Sequence, residues 1–318
     1  MTLRGWALFA TVSVLWGIPY LFIKIALDEG IPPLFVAWSR GVLAAILLLS
    51  LAWLSDRGLH SRGVAPRECP RSTGSGVLKD LPGNWRWLFA YAVAELTIPF
   101  PLIAFGQQYV DSSVAAIMIA SSPLMVALLV VRFEPSDRVN ARRMVGLVLG
   151  LAGVAALVGI DVSGTTDELL GAGALLIAAL GYSIGPVLLS RKLTHIDPRA
   201  AMGAASAISV LILTPAMFFV SMPSISAKAG GSLLVLGLVC TSGGLLSYMT
   251  LLKLVGPTRA SVASYVNPVV AVTLGVIVLE ERPGIGTFVG LVLILTGCWL
   301  ATRGRPPARP QGRAVATE

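Results

Sequence analysis

The chain alternates long apolar runs with short polar breaks. Ten runs stand out: residues 6–27, 33–54, 86–106, 112–131, 143–160, 169–190, 199–220, 232–252, 257–279 and 284–302. About 20 helical residues cross the hydrocarbon core of a bilayer, so each run is of spanning length. None alternates with the period of two that barrel strands require. The pattern predicts an all-α polytopic membrane protein with ten transmembrane helices. One long connection, about 55–85, is rich in Arg, Gly, Ser and Pro and is expected to be a flexible cytoplasmic loop. The tail 303–318 is basic and Pro-rich and is expected to be disordered.

Two of the apolar blocks are versions of one text. VDSSVAAIMIASSPLMVALLV…GLVLGLAG starts at Val110, and VGPTRASVASYVNPVVAVTLG…GLVLILTG starts at Val255. Val110 matches Val255 and Pro123 matches Pro268 at an offset of 145; Gly146 and Gly153 match Gly290 and Gly297 at 144. The halves are 1–160 and 165–302. Five helices per half is an odd number, so the second half starts from the opposite side of the membrane. Counting alone thus predicts two inverted-topology repeats of five helices, with a substrate site between them. A weaker match pairs Pro33 with Pro198 at an offset of 165 and sets Trp16 against Gly181.

Composition agrees with burial in lipid: 55% hydrophobic residues, 13% charged and a mean hydropathy of +0.82. A soluble domain carries about 25% charge. The net charge of +8 is explained by its placement. With the N-terminus cytoplasmic, 20 of the 24 Lys and Arg fall on the inner side. Only Lys228 and Arg282 fall outside, and Lys24 and Arg40 lie within spans. The outer connections hold acids, among them Asp28, Glu29, Asp111, Asp161, Glu168, Glu280 and Glu281. This is the positive-inside pattern, with both termini cytoplasmic. It assigns the basic balance to topology and away from nucleic acid. The first run is read as a retained helix, since it is longer than a signal h-region and nine more follow. Cys69, Cys240 and Cys298 form neither a disulfide framework nor a metal-ligand spacing.

The repeated block, Trp16-Gly17 in the first run, Arg40 early in the second and the stretch PFPLIAFGQQYVDSSVAAIMIASSPLMVALL (Pro99 to Leu129) resemble the EamA-type branch of the drug/metabolite transporter superfamily. The resemblance covers roughly residues 6–302. It implies a cell-membrane carrier with two EamA repeats, without cofactor or metal, that exports or exchanges small metabolites. Amino acids, related amphipathic compounds or drugs are the implied substrate classes.

Three ionisable residues fall inside spans: Lys24, Arg40 and Glu95. A charge at mid-membrane costs about 2.5–3.5 kcal/mol on insertion scales and is by default a functional candidate. Glu95 is a candidate for proton coupling or amine binding, or else it neutralises Arg40. Arg40 can bind a carboxylate or phosphate through its planar fork, or serve as a buried structural charge. Lys24 can carry charge in the transport cycle or snorkel to the interface. Trp16, Ser121, Ser122, Tyr182, Tyr265 and Asn267 cluster by depth near the midplane and are candidate substrate contacts. Ordinary interhelical packing and hydrogen bonding is the alternative for each. Pro123 and Pro268 break their helices at matched positions and are hinge candidates. Small-residue pairs Gly146/Gly150, Gly181/Gly185 and Gly286/Gly290 suit close helix contacts within one protomer or between the protomers of a homodimer.

Gly181-Tyr182-Ser183-Ile184-Gly185 has the spacing of a nucleophile elbow, but that motif needs a strand-turn-helix setting and a downstream His. It lies in an apolar helical run here, and no P-loop or zinc signature accompanies it. The expectation is therefore a non-enzymatic secondary transporter working by alternating access, driven by the substrate gradient, a coupled proton or an exchanged solute. An intramembrane enzyme acting on a lipid-linked substrate is the alternative.

Overall fold

The computed structural model describes residues 2–62, 78, 80–126, 141–161, 164–256, 260 and 262–302. Cys69, most of the long connection, the end of the fourth run, the start of the ninth and the tail lie outside the described residues. Among those described, the regular structure is helical throughout. We label the helical rods α1 (Leu3–Asp28), α2 (Pro33–Arg62), α3 (Pro82–Gly106), α4 (Ser112–Val126), α5 (Ala141–Asp161), α6 (Thr166–Lys192), α7 (Pro198–Met217), α8 (Ala227–Val255), α9 (Ala263–Val278) and α10 (Ile285–Thr302). Among the described residues, seven helices are long and apolar enough to cross a membrane; α4, α9 and α10 are shorter apolar helices.

Local chemistry explains the ends. α6 opens on Thr165, whose hydroxyl accepts from Glu168 N at 3.3 Å, has Asp167 and Glu168 in its first turn and closes on Arg191 and Lys192. Cap and charges all follow the helix dipole. Pro198 and Pro33 start α7 and α2, where a missing N–H costs nothing. α1 breaks at Ile18 because Pro19 withholds the next donor. Several boundaries differ from the expected ones: α3 starts at Pro82, α8 starts at Ala227, and α2 continues past residue 54 to Arg62, since helix-compatible residues persist and the next proline is Pro66.

Packing is organised in crosswise pairs. α5 and α10 meet backbone to backbone. A Cβ added at Gly297 would lie 2.5 Å from Gly150 N and 2.6 Å from the Gly146 carbonyl. One added at Gly290 would lie 3.1 Å from the Gly153 carbonyl. Numbers rise along α5 as they fall along α10, so the two helices are antiparallel. The glycines concerned are the repeat mates: Gly146 meets the mate of Gly153, and Gly153 meets the mate of Gly146. Such reciprocity is what a two-fold axis imposes.

α2 and α7 repeat the arrangement. Trp38 Nε1 donates to Thr214 Oγ1 at 3.0 Å, and Arg199 Nη1 donates to Ser55 Oγ at 3.1 Å. Gly203 packs under Leu48 and Leu49, and Gly41 under Val210. At the 165 offset Trp38 corresponds to Gly203 and Leu49 to Thr214, so these contacts are reciprocal as well. The weak front-end match therefore marks real structural equivalence. The extra length of the first half's connection after α2 lowers the offset from 165 to 144. Further contacts come in matched sets: α1 with α8 as α6 with α3, α1 with α9 as α6 with α4, and α2 with α8 as α7 with α3. The largest apolar core runs through the middle of this assembly, from Tyr20 and Phe35 through Ile117 and Leu175 to Ile294.

Candidate functional site

One π-turn interrupts the third helix of each half. In α3 the π-turn is Val93–Thr97, with Ile98 N donating to Val93 O at 3.1 Å. Pro99 causes it, because proline has no N–H with which to continue the α pattern. In α8 it is Val235–Gly243. There the hydroxyls of Thr241 and Ser242 donate five residues back, to Leu236 O at 2.7 Å and Gly237 O at 3.0 Å. π-turns widen a helix and recur at functional sites. At the offset of 144, Thr97 and Thr241 are equivalent.

The two turns hold the intramembrane charges. Arg40 on α2 is 9% exposed. Its Nε donates to Thr241 Oγ1 at 2.6 Å, and its guanidinium lies 4.0 Å from the ring centre of Phe100. Glu95 sits inside the α3 turn, packed on Gly185 of α6, where an added Cβ would collide with its carboxylate. Glu95 Oε2 is buried without a hydrogen-bond partner, and so is Thr97 Oγ1. Among the described residues Arg40 and Glu95 form no ion pair, so mutual neutralisation is not what holds them. Tyr182 packs against both the core that holds Tyr20 and the core that holds Tyr91. The helical interior here thus holds one basic and one acidic side chain among buried aromatic residues.

The other candidates are distributed around this centre. Trp16 stacks on Tyr248 at 4.8 Å, with its indole nitrogen against Gly244 beside the α8 turn. The Asn267 amide, oriented to suit its neighbours, donates to Ser13 O at 3.2 Å and Ala263 O at 2.9 Å, tying α9 to α1. Gly17 permits the contact, since a Cβ there would lie 2.9 Å from Asn267 O. Tyr265 packs on the main core. Pro268 lies inside an unbroken α9, whereas α4 breaks at Ala120–Ser121 just ahead of Pro123. Side chains satisfy the carbonyls at that break: Ser121 Oγ donates to Met118 O at 2.6 Å, Ser122 Oγ to Ile119 O at 2.6 Å and Cys298 Sγ to Ala120 O at 3.4 Å. The two serine hydroxyls are thus engaged in repairing their own helix. Lys24 stays near its helix end, bound to Gln107 O at 3.4 Å and Asp28 at 3.7 Å. Ser183 is buried in mid-helix with its hydroxyl on Leu180 O at 2.6 Å. Among the described residues no group of His, Cys, Asp and Glu could hold a metal ion.

The sequence profile of the EamA-like transporter family matches residues 3–159 and again 169–303. The chain belongs to the EamA-like transporter family. It is 29% identical over 316 residues to the uncharacterized inner membrane transporter YedA of Escherichia coli K12, covering 96% of this chain and 92% of that one. It is 28% identical over 278 residues to an uncharacterized transporter of Buchnera aphidicola subsp. Schizaphis graminum, covering 86% of each. Protein PagO of Salmonella typhimurium is 26% identical over 271 residues, covering 84% of this chain and 82% of its own. One solved crystal structure shares the fold, with a TM-score of 0.62 over 94% of this chain and 96% of its own at 17% identity.

This EamA-type chain also carries a device that its residue pattern did not reveal. At the acid-rich end, each half caps a helix of the other. Asp161, closing α5, accepts from Gly286 N at 2.9 Å, from Thr287 Oγ1 at 2.5 Å and from Thr287 N at the start of α10. Glu281, before α10, accepts from Ser112 N at 2.8 Å, Ser113 N at 3.2 Å and Ser113 Oγ at 2.5 Å at the start of α4. Glu280 takes a left-handed φ of 56° to deliver it, a conformation that costs a non-glycine residue about 1–2 kcal/mol. A cavity of about 330 Å³ opens beside these caps, with Asp111, Glu168 and Arg282 in its wall. Burial, with Glu281 nearby, raises the Asp111 carboxyl above the usual range.

Proposed function

We infer that this EamA-family protein is a secondary transporter that exports small metabolites by alternating access. Ten spans in two inverted five-helix repeats would place the acid-rich end outside and both termini in the cytoplasm. Halves 1–160 and 165–302 would move about the crosswise contacts, opening the centre to each side in turn. Arg40, Glu95 and the aromatic residues Trp16, Tyr182 and Tyr265 would meet the substrate, with Asn267 and the proline positions Pro123 and Pro268 shaping the path. Amino acids, related amphipathic compounds or drugs suit an interior that holds one basic and one acidic side chain among aromatic residues. Coupling would come from a proton or an exchanged solute.

One observation carries the reading. Two ionisable side chains of opposite type, Arg40 and Glu95, lie inside the helical assembly, unpaired with each other, where the two halves meet. Insertion scales put the cost of such a charge at about 2.5–3.5 kcal/mol, and a transport role explains retaining it. The test is counterflow in proteoliposomes of the purified chain, preloaded with amino acids, sugars or cationic drugs. Accumulation of a labelled solute that Arg40→Gln abolishes is the expected result. Absence of counterflow for every class would refute the reading.

A further inference from the structure

Polar ties between the halves are of two kinds. Asp161, at the end of α5, bonds to the start of α10, and Arg199 bonds to Ser55 between α7 and α2. Both ties lie within the crosswise pairs, which close through glycine contacts. Glu281 stands elsewhere. It lies on the turn between α9 and α10 and accepts from Ser112 N at 2.8 Å, Ser113 N at 3.2 Å and Ser113 Oγ at 2.5 Å, at the start of α4. These are donors that a helix start leaves free. α4 also packs on α9. The two are repeat mates at the offset of 145, and mates that touch must do so across the two-fold axis. Glu281 therefore joins the halves at their axis, outside either pair.

The turn is shaped to deliver this one carboxylate. Leu279 N and Glu281 N both donate to Gly275 O, at 3.1 and 3.0 Å, so the chain wraps back past the end of α9. Glu280 makes the bend with its φ of 56°, and among the described residues it is the one non-glycine residue with a positive φ. Glycine usually supplies that conformation, and strain of this kind gathers at switch regions. Gly275 leaves room under the carboxylate: a Cβ there would lie 2.7 Å from Ser113 Oγ and 3.0 Å from Glu281 Cδ. Beside it the seam is already loose. The cavity of about 330 Å³ has Val114 of α4 and Gly284 of the same turn in its wall, whereas protein interiors are otherwise close-packed. Glu29 also joins the halves at this end, through Ser226 Oγ at 2.7 Å and Lys228 Nζ at 3.2 Å. Lys228 is exposed, and water screens such a pair, so Glu281 is the stronger tie.

We propose that Glu281 is the latch of a gate at the acid-rich end: its bonds to Ser112 and Ser113 hold α4 against the α9–α10 turn, and they break each time the centre opens to that end. The gate rests on the alternating-access reading and says which contact that motion must undo. The α5–α10 and α2–α7 pairs stay whole, and α4 parts from α9. Asp161 and Glu281 look alike as helix caps but do different work: Asp161 fastens a pair that never opens, and Glu281 fastens a seam that does.

Two measurements test it on the full chain carrying Cys69→Ala, Cys240→Ala and Cys298→Ala. The first needs no transport. Ile117, in α4, is fully buried, so a cysteine there meets a water-soluble maleimide only when the seam opens. In detergent, Glu281→Ala should speed labelling of Ile117→Cys at least threefold. Asp161→Ala strips a comparable cap inside the α5–α10 pair and should leave the rate within twofold of the parent, which separates a gate from general loosening. No acceleration by Glu281→Ala, or equal acceleration by both variants, would overturn the proposal. The second measurement is counterflow in proteoliposomes. Bridging Ser113→Cys to Glu281→Cys with a short bis-methanethiosulfonate should abolish counterflow, and a reductant should restore it. The same bridge between Asp161→Cys and Thr287→Cys should leave counterflow intact. Counterflow that survives the first bridge would also overturn the gate. If the unbridged protein moves no solute, the transporter reading fails, and labelling alone decides whether Glu281 is a latch.

Discussion

Replacing Gly297 by alanine probes the crosswise packing at its tightest point. The new Cβ would lie 2.5 Å from Gly150 N, 2.6 Å from the Gly146 carbonyl and 2.7 Å from Gly150 Cα. All three atoms are backbone, so no side chain can swing away. Ordinary contact begins near 3.4 Å, and α5 and α10 must part by about 1 Å to accept the methyl group. Overpacking of this kind costs about 1–3 kcal/mol. Against it stands the helix preference of alanine over glycine, about 0.8–1 kcal/mol. The net loss should be about 0–2 kcal/mol, a melting temperature lower by up to roughly 3 °C. Gly159→Ala, in the same α5 but with nothing within 4 Å of its new Cβ, isolates the propensity gain and should melt at or above the parent. Thermal melting of the three proteins in one detergent decides the matter. If Gly297→Ala melts with or above Gly159→Ala, the backbone-to-backbone contact between the halves does not exist.

The remaining expectations concern groups at the ends of the helices. Asp161→Ala and Glu281→Ala each strip the start of a helix in the other half, and each should cost about 0.5–2 kcal/mol, measured by melting. Asp111, whose carboxyl is raised by burial and by Glu281, binds its proton more tightly folded than unfolded. Stability therefore falls as pH climbs through that range. Asp111→Asn should melt higher than the parent at pH 7, and the difference should vanish in acid. Asp197 shows the opposite sign: burial raises its carboxyl, but hydrogen bonds from Arg199 outweigh this and hold it low. Its contribution is present above the usual carboxylate range and lost as pH falls through the lowered value. Asp197→Ala should lower the melting point at pH 7 and converge on the parent in strong acid.

Much of the architecture was legible because a bilayer leaves few choices. Apolar runs of spanning length marked the helices, and the matched glycines of the two blocks became the α5–α10 contact itself. Offsets legible only as a weak match, Pro33 with Pro198, turned out to govern the α2–α7 pairing. Its signal was faint because small residues at a helix contact are interchangeable. The charges Arg40 and Glu95 stood out, since ionisable residues are rare inside spans. Their partners did not. Thr241 and Phe100 look like ordinary span residues until the fold brings α2, α3 and α8 together. The alignment of Thr97 with Thr241 was available in the sequence, and a search for matched polar positions at the 144 offset would have found it. Ser121 and Ser122 ran the other way: depth grouped them with the centre, but the break before Pro123 claims their hydroxyls. The capping by Asp161 and Glu281 depends on contacts between distant segments, which no local pattern encodes.

Mirrored insertion of the two halves is tested most directly by impermeant thiol labelling of single-cysteine variants in intact cells. Cysteines placed at positions 28, 164 and 280 are expected to react from outside, and those at 55 and 197 only after the membrane is opened. Labelling of positions 164 and 197 from the same side would contradict the inverted arrangement, and the site between the halves would fall with it.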